Sequence, residues 1–254
     1  MTQIQGPLVC ARYAVAPNYY GYCGPNENSA LVDHLNDEID DREVVHILTR
    51  FETLYPYLEL IARINRIDDP LRRDVVEAYW IGNHLLHHIV PRDMYAFLQE
   101  KISIARVIEP KKLLRLKTKL FRLTFLPHHT FHVFNIFKRT GRAMGIHSVE
   151  TMDACRINWG KIIHIIPRVG GSNEELVVKA RPISIRNGIM GIDAPKQRII
   201  TNGYRRKTIL KNISVGDTIS FHWNFACDIL SEKQVKHLDD ITDRAIAYYN
   251  GPLA

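Results

Sequence analysis

The chain changes its hydrophobic pattern near residue 150, and this change limits the folds that are open to it. Before that point apolar residues recur every three or four positions, which is the period of helices that bury one face. After it come short β-branched runs separated by turn residues, the first at 156–167. Asn-Gly at 187–188 and 202–203 lies between such runs and predicts tight hairpin turns. We therefore predict an α+β protein with a mainly helical domain at 1–150 and a second domain at 151–254.

Proline and glycine residues mark the ends of the helices predicted within the first domain. A helix over 41–65 contains Pro56, which is expected to kink or split it. The next helix, over 69–90, has Asp69 as its expected N-cap and Pro70 at its first position. Three later helices are expected to begin at Pro91, Pro110 and Pro127. The last of them is expected to end at Gly141. The first forty residues, rich in proline, glycine and aromatic residues, are predicted to be irregular.

The second domain is predicted to contain five short strands and a closing helix. The strands are expected within 156–167, 175–185, 197–203, 205–213 and 217–230. Short strands joined in this way are typical of a small OB-like barrel. The last segment, 231–249, has helical period, and Ser231 is placed to cap it.

Composition excludes several classes of protein. The N-terminal segment has no basic region followed by an apolar stretch, and no apolar run is long enough to span a bilayer. We therefore expect a cytoplasmic protein without a membrane partner. The formal net charge is +7, and part of it lies in a basic segment at 101–122. Leucines interleaved with these charges are typical of a core helix with a solvated positive face. The sequence leaves the oligomeric state open.

The four cysteines do not form a recognisable framework. Cys10, Cys23, Cys155 and Cys227 are widely spaced and include no CxxC pair, so neither a disulfide scaffold nor a zinc ribbon is indicated. Individually they are expected to be small buried hydrophobic residues. Cys23 nevertheless lies in a glycine-bounded turn, where a thiolate is accessible and backbone N–H groups can stabilise it. Cys10 and Cys23 are therefore candidates for a thiolate metal site.

Two histidine clusters, at 84–88 and 128–132, offer a second set of possible ligands. His84 and His88 are four residues apart, as are His128 and His132, so each pair would share one face of a predicted helix. Two such faces in contact could offer four imidazoles to a transition metal, or two axial ligands to haem. The competing interpretation is that these histidines are solvated or hydrogen-bonded without a metal.

Three motifs of the second domain follow one another in an order that a known family shares: CRINWGKII at 155–163, TNGYRRKTIL at 201–210 and VGDTISFHWNFA at 215–226. In this order, over roughly 155–249, the chain resembles the HypC/HupF family of iron-carrying chaperones of [NiFe]-hydrogenase maturation. In that family the opening cysteine is an iron ligand and the histidine of the VGD strand lies near it. The resemblance therefore implies that Cys155 binds iron and that His222 lies beside it. Cys155 is internal here, and Trp159 stands where the family has proline.

The resemblance implies an assembly factor for a metallocentre. Cys155 would carry iron transiently, with cyanide and carbonyl ligands, and the barrel would dock on a maturation scaffold protein or on the hydrogenase large subunit. A thiolate is a soft donor that suits such an iron. An alternative is an enzyme that uses haem or another transition metal, held by the histidines and cysteines of the first domain, to act on a small cofactor precursor. A third hypothesis, a nucleic-acid-binding OB-like protein, is less favoured because the barrel aromatics are few and expected in the core.

Overall fold

The computed structural model describes residues 5–26, 28–106, 109–123, 126–136, 148–167, 170 and 173–251. Over these residues the α-helices are α1 (Gly6–Tyr19), α2 (Asn28–Asp37), α3 (Arg42–Thr49), α4 (Tyr55–Ile64), α5 (Arg73–Trp80), α6 (Pro91–Glu100), α7 (Pro110–Arg122), α8 (His129–Asn135), α9 (Val149–Cys155) and α10 (Glu232–Asn250). The strands are β1 (Asn158–Ile166), β2 (Glu174–Ala180), β3 (Ile183–Arg186), β4 (Ile189–Ile192), β5 (Lys196–Asn202), β6 (Thr218–His222) and β7 (Phe225–Ile229). The fold is α+β, as predicted.

Helix α1 occupies a segment that was predicted to be irregular, so that prediction was wrong. Pro7 lies in its first turn, where a missing N–H removes no intrahelical hydrogen bond, and Pro17 lies in its last. Nearly all of its side chains are buried. A helix that is buried on every side has no polar face, so its sequence lacks the alternation that predicts amphipathic helices.

The prolines predicted to divide the helical part lie at or near helix starts. Pro56 is in the first turn of α4, which is separate from α3. Helices α6 and α7 begin at Pro91 and Pro110, and α8 begins two residues after Pro127. Gly141, the predicted end of that last helix, lies outside the described residues.

The helix predicted over 69–90 is much shorter in the structure. Asp69 accepts a hydrogen bond from the N–H of Leu71 and does not cap α5, which begins at Arg73. Gly82 has φ +97°, a conformation that favours glycine, and ends the helical path after α5. The next residues, His84–His88, form a separate 3-10 helix.

Five strands close into a barrel in the order β1-β2-β5-β7-β6. Strands β3 and β4 form a separate hairpin, whose turn residues Asn187 and Gly188 both have positive φ, as the predicted tight turn requires. The segment 205–213 was predicted to be a strand but is not one. Asn202 instead bonds both the N–H and the carbonyl of Leu210, which holds this segment as a loop. The fifth barrel strand comes from 217–230, which supplies both β6 and β7.

The helical part packs directly on the barrel. Helix α1 contacts β6 and β7, and its Tyr13 hydroxyl lies 2.7 Å from Ser220 Oγ. Arg12 of the same helix forms a 3.7 Å ion pair with Asp228. Helix α10 packs on α8 and β4. The junction between the two parts is therefore a buried interior. Within the described residues, no helix combines the length and the apolar character that crossing a bilayer demands.

Candidate metal centre

Cys155 and His222 meet where α9 ends and β6 turns into β7. Cys155 is the last residue of α9 and lies three residues before the start of β1. His222 is the last residue of β6. The N–H of Trp223 donates a 2.8 Å hydrogen bond to the carbonyl of Ala154. Because Ala154 and Trp223 are sequence neighbours of the two residues, this bond holds Cys155 beside His222.

His129 completes a compact group of three potential metal ligands. It is the first residue of α8, so it comes from the helical part. One ligand atom from each of His129, Cys155 and His222 lies within 4.8 Å of the other two, and all three residues are buried. Within the described residues no other set of three histidine, cysteine or acidic side chains is grouped in this way.

His222 presents one ring nitrogen to this group. Its Nδ1 lies 2.7 Å from the carbonyl oxygen of Tyr13, and a carbonyl only accepts, so Nδ1 carries the proton. Nε2 therefore carries the lone pair, and it is buried without a hydrogen-bond partner of normal geometry among the described residues. Hydrogen bonding through the distal nitrogen is the usual way that proteins orient a histidine ligand.

Both nitrogens of His129 are engaged. Nε2 lies 2.9 Å from the carbonyl oxygen of Cys155 and must donate to it. Nδ1 lies 3.1 Å from the Tyr79 hydroxyl, so it accepts from that group. A metal bound by His129 Nδ1 would therefore replace the hydroxyl of Tyr79, while the bond to the Cys155 carbonyl could remain.

Burial keeps these imidazoles neutral at physiological pH. It lowers the pKa of His222 to about 4, against the smaller opposing effect of the carbonyls of Tyr13 and Cys155. Burial also lowers the pKa of His129 well below its ordinary value, and the neighbouring histidines add to the effect. A neutral imidazole is the form that binds a metal, so protons do not compete for these nitrogens near pH 7.

The three residues line a small cavity of about 40 Å³. Cys23 and His132, which the sequence had singled out, line the same cavity, together with Tyr79 and Trp80. Drug-sized ligands occupy pockets of about 300–1,000 Å³, so this cavity suits an ion with a few small ligands and has no room for haem. The tyrosine and tryptophan rings give it a largely apolar wall.

A buried ionic network fixes the end of α9. Asp153 accepts from Arg156 Nε at 3.0 Å and from the N–H of Ile183 at 3.1 Å, and it also pairs with Arg198. Asn158 Nδ2 donates to the carbonyl of Asp153 at 2.5 Å. These bonds tie the last turn of α9 to the barrel, so the Cys155 backbone is held from several directions.

Four predicted ligands do not line this cavity: Cys10, His84, His88 and His128. His84 and His88 are exposed on the 3-10 helix, whereas His128 and His132 are buried, so the four-histidine site is not assembled. His84 and His88 still lie side by side, with ring centroids 6.4 Å apart, but after the break at Gly82 they face solvent and do not meet the second pair. Cys10 is fully buried in α1, and burial raises its pKa to about 12.

His128 acts as a helix cap. Its Nδ1 accepts a 3.0 Å hydrogen bond from the N–H of Thr130 at the start of α8. His132 lies one helical turn further on, where its Nδ1 is 3.0 Å from the Tyr57 hydroxyl. His129 belongs to the 128–132 cluster, but spacing by four favours its neighbours as the ligand pair. The sequence of this segment does not show that His128 caps α8. That cap turns His129 toward the barrel.

Comparison with known proteins places the whole chain in one family. Residues 2–254 match the family described as "Family of unknown function (DUF6390)". The chain belongs to that family. Neither a search of curated proteins nor a search of solved structures returned a match. The family match spans both the helical part and the barrel, and so it includes all three residues of the candidate metal centre.

Proposed function

We propose that the protein is a metal-binding assembly factor that holds one transition-metal ion between His129, Cys155 and His222. The observation that carries the proposal is the buried Nε2 of His222, which has no hydrogen-bond partner of normal geometry among the described residues and belongs to a residue grouped with a cysteine and a second histidine. We further propose that the metal is iron and that it is cargo for [NiFe]-hydrogenase maturation. Support for that step is the resemblance of 155–249 to HypC/HupF chaperones.

The donor set fits a soft or borderline transition metal. Thiolate and imidazole ligands favour metals such as iron, zinc and copper over magnesium or calcium, which prefer oxygen. Transition metals bind imidazole nitrogen and thiolate sulfur at about 2.0–2.3 Å, so three ligand atoms within 4.8 Å can share one ion with small side-chain adjustments. When bound, the ion would supply positive charge and open coordination positions.

Backbone groups hold two of the ligands in place for such an ion. Tyr13 orients His222, and the Ala154–Trp223 bond keeps Cys155 beside it. Three protein ligands leave room for exogenous or partner ligands, as expected of a carrier and not of a closed structural site. Cys23 lies in the turn after α1, is only half-buried and lines the cavity, so it offers a second and more accessible thiol.

The first test is metal binding by the purified protein. Anaerobic titration with Co²⁺ should give thiolate-to-cobalt charge-transfer absorption in the wild type. Cys155→Ala should abolish that absorption, and His222→Gln should weaken binding at least about tenfold, since second-shell changes alone cost that much. Two matched controls, Cys227→Ala for a buried thiol of the barrel and His84→Gln for an exposed histidine, should bind as the wild type does.

The second test addresses the cargo. The protein would be purified after co-expression with hydrogenase maturation proteins, and its iron content and infrared spectrum in the cyanide and carbonyl region would be recorded. Iron with such bands in the wild type, absent from Cys155→Ala, would support the maturation role. Co²⁺ binding without iron or these bands would leave a metal site with another cargo. Absence of the charge-transfer absorption, or its persistence in Cys155→Ala, would overturn the proposed centre.

A further inference from the structure

A second cavity lies on the other side of the Cys155–Arg156 segment, outside the barrel. It has a volume of about 270 Å³ and is formed between β1, β2, the end of the β3–β4 hairpin and α10. The cations that line it are Arg156, Lys161, Lys179 and Arg181, and the carboxylate that lines it is Asp239. The cavity is therefore strongly basic, although much of its wall is apolar, with Trp159, Ile192, Pro195 and Val235.

Arg156 is the unusual member of this group. Its side chain is 2% exposed, and Nη1 is buried without a hydrogen-bond partner among the described residues. Nε is bound to Asp153 and Nη2 donates to the carbonyl of Arg181 at 2.5 Å. The guanidinium also lies over the Trp159 ring, 5.5 Å from its centroid. An unpaired donor on a buried cation is costly, so an acceptor is expected there.

The carboxylate beneath Arg156 does not neutralise the cavity. Asp153 is shared between two guanidinium groups, those of Arg156 and Arg198. Asp153 pairs with both groups and also accepts a hydrogen bond from the N–H of Ile183. One negative charge that serves two positive charges leaves the buried side of the cavity cationic.

Two lysines at the mouth of the cavity add further positive charge that no carboxylate balances among the described residues. Lys161 of β1 and Lys179 of β2 are directly opposite each other in the antiparallel register. Like charges in that position repel and destabilise a strand pair. No ion pair with either lysine is found within the described residues. An anion between them would remove the repulsion.

We propose that this cavity binds a small organic anion, with its phosphate or carboxylate group held by Arg156, Lys161 and Lys179 and its apolar part against Trp159. Arginine and lysine with an oxyanion form the strongest class of hydrogen bonds in proteins. The wall of Trp159 and aliphatic side chains favours an anion that carries a hydrophobic or aromatic body over inorganic phosphate. The proposal is independent of whether the metal centre is loaded.

The test uses the full chain and four probes, with dissociation constants measured by isothermal titration calorimetry. Comparison of phenyl phosphate with phenylacetate distinguishes a phosphate ligand from a carboxylate. Inorganic phosphate measures the affinity for the anionic group without an aromatic body. Phenethylamine keeps the aromatic body but carries a cation in place of the anion. We expect at least one aromatic anion to bind more tightly than inorganic phosphate, and phenethylamine not to bind.

The variants decide whether this cavity is the site. Lys161→Gln/Lys179→Gln should weaken the aromatic anion by about tenfold or more, and both side chains are exposed, so the fold should be kept. Lys111→Gln/Lys117→Gln, which removes the same two charges from exposed positions of α7, should change affinity by less than about twofold. Binding of no anion at millimolar concentration, or equal weakening by the two double variants, would overturn the proposal.

Discussion

The N–H of Trp223 donates to the carbonyl of Ala154 across 2.8 Å, and this bond joins the end of α9 to the β6–β7 turn. The two residues are 69 positions apart in sequence, and each is next to a proposed metal ligand. Trp223 has φ +51° and Asn224 has φ +61°, the left-handed pair that a tight hairpin turn requires. The turn conformation thus aims the Trp223 N–H at α9 and places His222 beside Cys155.

Removing the buried carboxylate of Asp153 should destabilise the protein strongly. Asp153→Asn leaves Arg156 and Arg198 buried or half-buried without their shared counter-charge, and breaking such a pair costs about 3–5 kcal/mol. The free energy of unfolding from urea denaturation measures the loss. Asp193→Asn is the matched control, since Asp193 pairs with a largely exposed arginine, Arg186, and should cost less than about 1 kcal/mol. Equal losses in the two variants would contradict the role given to Asp153.

Acid should destabilise the metal-free protein through its buried histidines, and His128 provides the clearest case. Burial lowers its pKa to about 3 from an ordinary value near 6.5, so the unfolded chain binds the proton more readily. Its stabilising contribution is therefore present above about pH 6.5 and is lost progressively as the pH falls toward 3. We expect a loss of a few kcal/mol over that window in urea denaturation at successive pH values.

Replacing His128 by asparagine tests the titration of the imidazole without removing the helix cap. Asn is a good N-cap residue and does not titrate, so His128→Asn should keep α8 capped and reduce the slope of stability against pH. His129 and His222 contribute with the same sign, so the comparison is between the slopes of the variant and the wild type. His164→Asn, at an exposed position of β1, should leave the slope unchanged. An unchanged slope in His128→Asn would show that this imidazole titrates normally.

Cys23 should be the thiol that reacts first in the native protein. It is half-buried, whereas Cys10, Cys155 and Cys227 are buried, and burial raises the pKa of the Cys10 and Cys227 thiols. Alkylation needs an accessible thiolate. Iodoacetamide should therefore modify one thiol quickly and the rest only on unfolding, as followed by intact mass. Cys23→Ser should lose the fast phase and Cys10→Ser should keep it; fast labelling of Cys23→Ser would contradict this order.

The burial of the barrel aromatic residues was only partly predictable from the sequence pattern. Phe221 and Tyr204 are buried, as expected for core residues, while Trp159, Trp223 and Phe225 are half-buried. Phe225 stacks on Tyr204 with ring centroids 4.6 Å apart, and Trp223 stacks on Tyr22 at 4.3 Å. The strand pattern predicted core positions for these rings, but it carried no information on the α1–α2 connection, whose Tyr22 covers the Trp223 ring.

Features that depend on local chemistry could be predicted from the sequence. Proline starts a helix because its φ is fixed, and Asn-Gly makes a hairpin turn because both residues tolerate positive φ, so Pro91, Pro110 and the 187–188 turn were predictable. The change from helical to strand pattern near residue 150 placed the barrel. Long-range packing makes α1 an almost fully buried helix and 205–213 a loop. It also decides that His129, and not His128 or His132, faces Cys155 and His222. Those outcomes depend on contacts between residues far apart in sequence, which leave no periodicity in the segments that make them.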